Sequence, residues 1–228
     1  MSVATRFVGL SLISAAAVLA ISSSSSAAVV VVTGGDAGQG LTLVPSDVVQ
    51  AWDIDKYNHN WVIQGVQTTS VSGGGNANIV LAGDDSALGD TLPDNISAND
   101  LALSDIFSTY QWKAQTVTLK GLTPNATYKV EVLASMRSGS SRVQDIALNG
   151  VAIGTAVDVK TNFFNVWGTT QADASGYISV ALTPTAGSTD PNPAVSAIFV
   201  STVVPEPATL SLLGLSTLGL LGRRSRRA

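Results

Sequence analysis

The chain has 228 residues, 45% hydrophobic and only 12% charged, with no cysteine and one histidine; disulfide staples, thiol nucleophiles and the usual zinc ligand sets are excluded. Seven basic and fifteen acidic residues lie within residues 29–203, a net charge of −8, and so acidic a body lacks the basic patch that nucleic acid requires. Cations and neutral sugars stay compatible with it, and the roughly 175 residues between the ends suit one domain that buries about 70% of its unfolded surface.

Residues 1–28 open with Arg6, continue through an apolar run over residues 7–21, and close with a serine run before Ala27 and Ala28. This is the order of a secretory signal peptide, to be removed by signal peptidase, and its helix of roughly 22 Å is too short for a comfortable membrane anchor. A short strand is expected at residues 29–32. The Gly35-Asp36-Ala37-Gly38-Gln39-Gly40 string that follows departs from the nucleotide-binding glycine order and reads as a loop.

The body over residues 29–203 reads as all-β, a jelly-roll-like β-sandwich forming a single domain. Further strands are expected at residues 61–71, 78–82, 115–119, 142–148 and 195–203. In residues 128–134, Tyr128, Val130, Val132 and Ala134 share one face while Lys129, Glu131 and Leu133 share the other. Ile178, Val180 and Leu182 alternate in the same way after an Asp173-Ala174-Ser175-Gly176 turn. Leu103, Phe107 and Tyr110 fall at helical spacing, which predicts a short helix within residues 97–110. The stretches 73–76 and 83–94 lack an apolar period and read as loops.

Catalytic groups are scarce in this body. His59 is the only base for a serine triad and has no nucleophile elbow to accompany it. Glu131 is the body's only glutamate, so a glycosidase carboxylate pair would have to draw on turn aspartates. The protein is therefore expected not to be an enzyme, with a secreted glycoside hydrolase as the lowest-ranked alternative. No cofactor is expected. Asp84, Asp85, Asp90 and Asp94 crowd one loop and are the candidates for a calcium site, without EF-hand or nonapeptide order.

Sugar binding rests on the aromatic residues Trp52, Tyr57, Trp61, Trp112 and Trp167, whose faces can stack on a pyranose. Tyr57 and Trp61, separated by polar residues, are the preferred pair, with Arg137 available to fix hydroxyls. The stretch from Gly121-Leu122-Thr123-Pro124 through residues 128–135, Leu148-Asn149-Gly150 and Trp167 to residues 173–180 resembles galactose-binding-like jelly-roll domains of exported bacterial proteins. That resemblance implies a sandwich whose end loops bind carbohydrate or calcium.

The tail consists of Val204-Pro205-Glu206-Pro207, an uncharged run over residues 208–221, and a basic end carrying Arg223, Arg224, Arg226 and Arg227. The prolines hold Glu206 in extended backbone. A helix over the apolar run would measure roughly 21 Å against a hydrocarbon core of about 30 Å, and the arginines would keep its end in the cytoplasm. In this order of parts the tail resembles the PEP-CTERM sorting signal, which implies Pro205, Glu206 and Pro207 as the motif recognised by an exosortase. It further implies transient residence in the inner membrane of a Gram-negative-type bacterium and a final place at the cell surface or in the exopolysaccharide matrix. The two leading readings are a carbohydrate-binding matrix protein and a purely structural or adhesive surface protein. Intact-mass measurement of the exported protein is expected to find a mature chain beginning at Ala28 or Val29; material that retains Phe7 would refute the cleavage.

Overall fold

The computed structural model describes residues 26–32, 40–54, 60–71, 73–82, 87–89, 106, 109–113, 116–135, 142–160 and 163–203. The expected signal-peptide helix and membrane helix lie outside the described residues, among which no helix is long and apolar enough to cross a membrane. The described part is an all-β sandwich.

Its larger sheet holds six strands: β1 (Ala27–Val32), β2 (Val48–Ile54), β5 (Thr69–Val71), β10 (Thr127–Ala134), β13 (Phe163–Gln171) and β16 (Ala197–Thr202), in the order β1-β13-β10-β16-β2-β5. Neighbours are antiparallel except β2 and β5, which run parallel with Trp52 opposite Thr69. The second sheet holds β6 (Ile79–Ala82), β9 (Thr116–Leu119), β11 (Val143–Leu148), β12 (Val151–Asp158) and β14 (Ile178–Pro184), in the order β12-β11-β14-β9-β6. A side sheet joins β7 (Ala87–Gly89), β8 (Thr109–Trp112) and β15 (Ala194–Val195), and β3 (Val62–Ile63) pairs with β4 (Val66–Gln67) as a hairpin.

The main core forms where the two sheets face one another. Trp52, Ile54, Val130, Val132, Val166 and Ile198 of the larger sheet meet Ile79, Leu119, Ile146, Leu148, Ile178 and Val180 of the smaller one. Strand β11 alternates half-buried and buried along its whole length, as a strand with one face on a core must. Burying each of these larger aliphatic side chains contributes about 1.5–3 kcal/mol.

A second cluster lies on the opposite face of the larger sheet. Leu133, Phe163, Ala197 and Phe199 are covered there by Leu41, Leu43, Ile63, Val66 and Ile106. The face expected to carry Lys129, Glu131 and Leu133 is thus buried as well: β10 has five consecutive buried residues and β16 likewise.

Local chemistry sets several boundaries. Asn149 and Gly150, at φ +47° and +82°, make the two-residue turn between β11 and β12. In the expected turn at residues 173–176, Asp173 Oδ1 accepts the N–H groups of Ser175 and Tyr177 at 2.8 and 2.9 Å. The buried Tyr128 hydroxyl accepts the N–H of Thr123 at 2.9 Å and ties the preceding turn to the strand it starts.

Three expectations need correction. Residues 61–71 do not form one strand, because Gln64 and Gly65, at φ +49° and +78°, reverse the chain between β3 and β4. The segment 83–94 is not loop throughout: β7 pairs with β8, and a three-residue strand is too short to show an apolar period. Of the stretch predicted helical, Ile106 is helical and buried whereas Thr109 and Tyr110 begin β8, and the rest lies outside the described residues.

One side of the sandwich is closed, where β1 and β12 bring the two sheets together. A Cβ at Gly168 would lie 2.5 Å from Ile153 Cγ2, and one at Gly154 would lie 2.7 Å from Val166 Cγ1. Gly168→Ala is expected to lower stability by about 1–3 kcal/mol through overpacking, read as a lower midpoint in chemical denaturation; an unchanged midpoint would show that the sheets can separate freely at this side.

Candidate functional site

On the opposite side of the sandwich β5 pairs only with Trp52–Ile54 of β2. Beside the first residues of β2, next to the β3–β4 hairpin, lies a cleft of about 450 Å³, lined by Pro45, residues 48–52, residues 65–67, Thr69, Asn78 and Gly121. That volume falls in the range of small-ligand sites.

Its floor is preorganised. Gln50 reaches from the larger sheet to the smaller one, donating from Nε2 to the Lys120 carbonyl at 2.6 Å, and its Oε1 accepts the indole N–H of Trp52 at 3.1 Å. On the hairpin wall, Gln67 Nε2 donates to the carbonyls of Trp61 and Thr68 at 3.2 and 3.3 Å. The Trp61 N–H donates to Thr68 Oγ1 at 2.9 Å, which fixes the start of the hairpin against its end. The lining combines amide and hydroxyl groups with Pro45, Val48, Val49 and Val66, and it carries no ionisable side chain. Such a surface suits an uncharged, hydroxylated ligand, since neither an anion nor a metal ion meets a compensating charge.

A second polar group is built into the larger sheet beneath the covering layer. Glu131, with 1% of its side chain exposed, pairs with Lys129 Nζ at 2.6 Å. Asn165 Nδ2 donates to Glu131 Oε2 at 2.6 Å and to the Gly40 carbonyl at 2.8 Å. The Thr42 N–H and hydroxyl donate to the same carboxylate at 3.4 and 3.3 Å, and Lys129 also bonds the Thr42 hydroxyl. Lys129 Nζ stands 4.9 Å from the centre of the Trp167 ring, within cation–π range. This network pins the 40–43 segment onto the sheet.

The predicted site residues are only partly placed. Trp61 is half-buried against the second cluster, beside the cleft wall. Tyr57, Arg137, Asp84, Asp85, Asp90, Asp94, the motif Pro205, Glu206 and Pro207, and the basic end Arg223, Arg224, Arg226 and Arg227 lie outside the described residues. Among the described residues no group of three or more His, Cys, Asp or Glu side chains could hold a metal ion. Trp52 is a core residue, 7% exposed. Sequence reasoning missed Gln50, Gln67, Thr69 and Asn78, which carry no motif, and Gln50 lies in a strand without a regular two-residue period.

Residues 203–227 match the PEP-CTERM protein-sorting motif. The motif marks the chain as an exported protein that an exosortase processes, by way of a membrane-anchored intermediate on the route to the cell surface. No curated protein matches the chain. Among solved structures, the ANX1 ectodomain from Arabidopsis thaliana is similar at 14% identity and TM-score 0.51, over 70% of this chain and 52% of that one. The ANX2 ectodomain from the same plant is similar at 12% identity and TM-score 0.51, over 69% and 50%. A β-glucuronidase from Bacteroides uniformis aligns at 12% identity and TM-score 0.46, over 68% of this chain and 18% of that one. The chain thus spans about half the length of the ectodomains and under a fifth of the glucuronidase. The ectodomain likenesses are likenesses of fold.

Removing one partner of the buried ion pair strands the other. Lys129→Met is expected to cost about 3–5 kcal/mol in chemical denaturation, and the double variant Lys129→Met/Glu131→Gln to recover most of that loss. A single variant as stable as the parent protein would show that the pair does not hold the 40–43 segment.

Proposed function

We propose that this is a non-enzymatic surface or exopolysaccharide-matrix protein whose β-sandwich binds extracellular polysaccharide in the edge cleft. The observation that carries the reading is the uncharged cleft itself: amides and a hydroxyl to meet sugar hydroxyls, apolar side chains to meet C–H faces, and a floor already held by Gln50 and Trp52. A rigid floor limits the ordering that binding would otherwise cost. Trp61 acts beside the cleft by fixing the hairpin wall through Thr68 and Gln67.

The non-enzymatic part rests on Glu131. The body's only glutamate is held by Lys129, Asn165 and Thr42 beneath the covering layer, away from the cleft, where a glycosidic bond has no approach to it. The sorting motif supports display outside the cell, and the matrix of a Gram-negative-type biofilm is the destination that this reading favours.

The purified exported protein is expected to retain neutral polysaccharide fragments on a glycan array. Thr69→Val combined with Asn78→Ala should weaken that binding by about tenfold, the effect of losing two hydrogen bonds of typical strength, with no change in melting temperature. Binding unaffected by the pair would remove the cleft from consideration. Retention of no glycan at all would favour the structural or adhesive reading.

A further inference from the structure

The smaller sheet continues the cleft along one end. Leu119 of β9 is paired with Ile79 on one side and with Ile178 on the other, and all three side chains are fully buried in the core. The next residues, Asn78, Lys120 and Tyr177, therefore stand side by side at the following level, on the opposite face of the sheet. Two contacts support this row: the Lys120 N–H donates to the Asn78 carbonyl at 2.7 Å, and Lys120 Nζ lies 5.6 Å from the centre of the Tyr177 ring.

Asn78 lines the cleft, and Gly121, next to Lys120, lines it too. The Lys120 carbonyl also receives Gln50 from the cleft floor, so the row and the cleft share a wall. Across two inter-strand steps the row spans about 10 Å, which extends the site well beyond one sugar ring. Its far end carries an aromatic side chain that is 40% exposed, with an ammonium group beside it. Asp173 is the acid in the adjoining turn, and its Oδ1 is engaged by the N–H groups of Ser175 and Tyr177.

Resting on the polysaccharide-binding reading above, we propose that the row Asn78–Lys120–Tyr177 is a second subsite, and that the ligand is an extended glycan carrying a carboxylate-bearing sugar. A neutral unit occupies the cleft. The neighbouring acidic unit places its carboxylate on Lys120 Nζ and a C–H face against Tyr177. In a body of net charge −8, this cation beside an uncharged cleft gives the site a preference that the protein as a whole opposes.

The test uses the purified exported protein with oligosaccharides that alternate a neutral sugar with a uronic acid, such as those from hyaluronate, each paired with its carboxyl-reduced counterpart. The acidic form is expected to bind about fivefold more tightly than the reduced form, Lys120→Met to erase that difference, and Lys120→Arg to keep it. Tyr177→Ala should weaken both forms. Equal binding of the two forms, or an advantage for the acid that survives Lys120→Met, would overturn the second subsite. The cleft reading would outlive that result if Thr69→Val with Asn78→Ala still weakened binding of the reduced form by about tenfold. Failure of every oligosaccharide to bind would overturn both.

Discussion

The central strands β13, β10 and β16 bury side chains on both faces, and most of the architecture answers to that. One face is satisfied by the smaller sheet. The other would leave Leu133, Ala197 and Phe199 in water, so the chain spends the 40–43 segment, the β3–β4 hairpin and Ile106 on covering it. These covering pieces are short and form few backbone bonds with the strands below. The network of Glu131, Lys129, Asn165 and Thr42 supplies directional contacts that apolar packing cannot give. A carboxylate that is almost wholly buried is tolerable there because it is met by an ammonium, an amide and a hydroxyl.

How far this was legible in the sequence depends on the range over which each feature is specified. The face shared by Tyr128, Val130, Val132 and Ala134 follows from alternation alone, and the turn at residues 173–176 follows from Asp173 and Gly176. The same alternation places Glu131 with Lys129 and Leu133 on the other face, and says nothing of what covers that face. The burial of Glu131 comes from Thr42, 89 residues away, and no local period encodes that meeting. The reversal at Gln64 and Gly65 was hidden for a related reason: Trp61, Ile63 and Val66 belong to the second cluster, whose existence alternation does not announce. Strands β2, β12 and β13 were missed because their buried and exposed positions break the two-residue period, as in β12, where exposed and buried residues come in pairs.

The candidate site was the least legible part. Its lining comes from four separated stretches of chain, around residues 45–52, 65–69, 78 and 121, and none of them carries a recognisable motif. Trp61 drew attention as an aromatic among polar neighbours, yet it contributes by bracing the hairpin rather than by standing in the cleft. What creates the cleft is a difference between the two sides of the sandwich. At the closed side Gly154 and Gly168 let the sheets approach until Val166 and Ile153 fill the space above them. At the other side Gln50 bridges the sheets with a polar arm, its amide bonded to the Lys120 carbonyl beside the cleft.

The place where the body ends has a mechanical meaning. Strand β16 finishes at Thr202, the sorting motif begins at Val203, and the Thr202 N–H donates to the Asp47 carbonyl at 2.8 Å. Tension arriving through the tail therefore enters an interior strand with no slack before it. That strand is laced to β10 on one flank and β2 on the other. A pull along its axis loads many crosswise hydrogen bonds at once instead of peeling them apart in succession. Whatever holds the chain by its sorting motif thereby holds the sandwich through a strand bonded on both flanks.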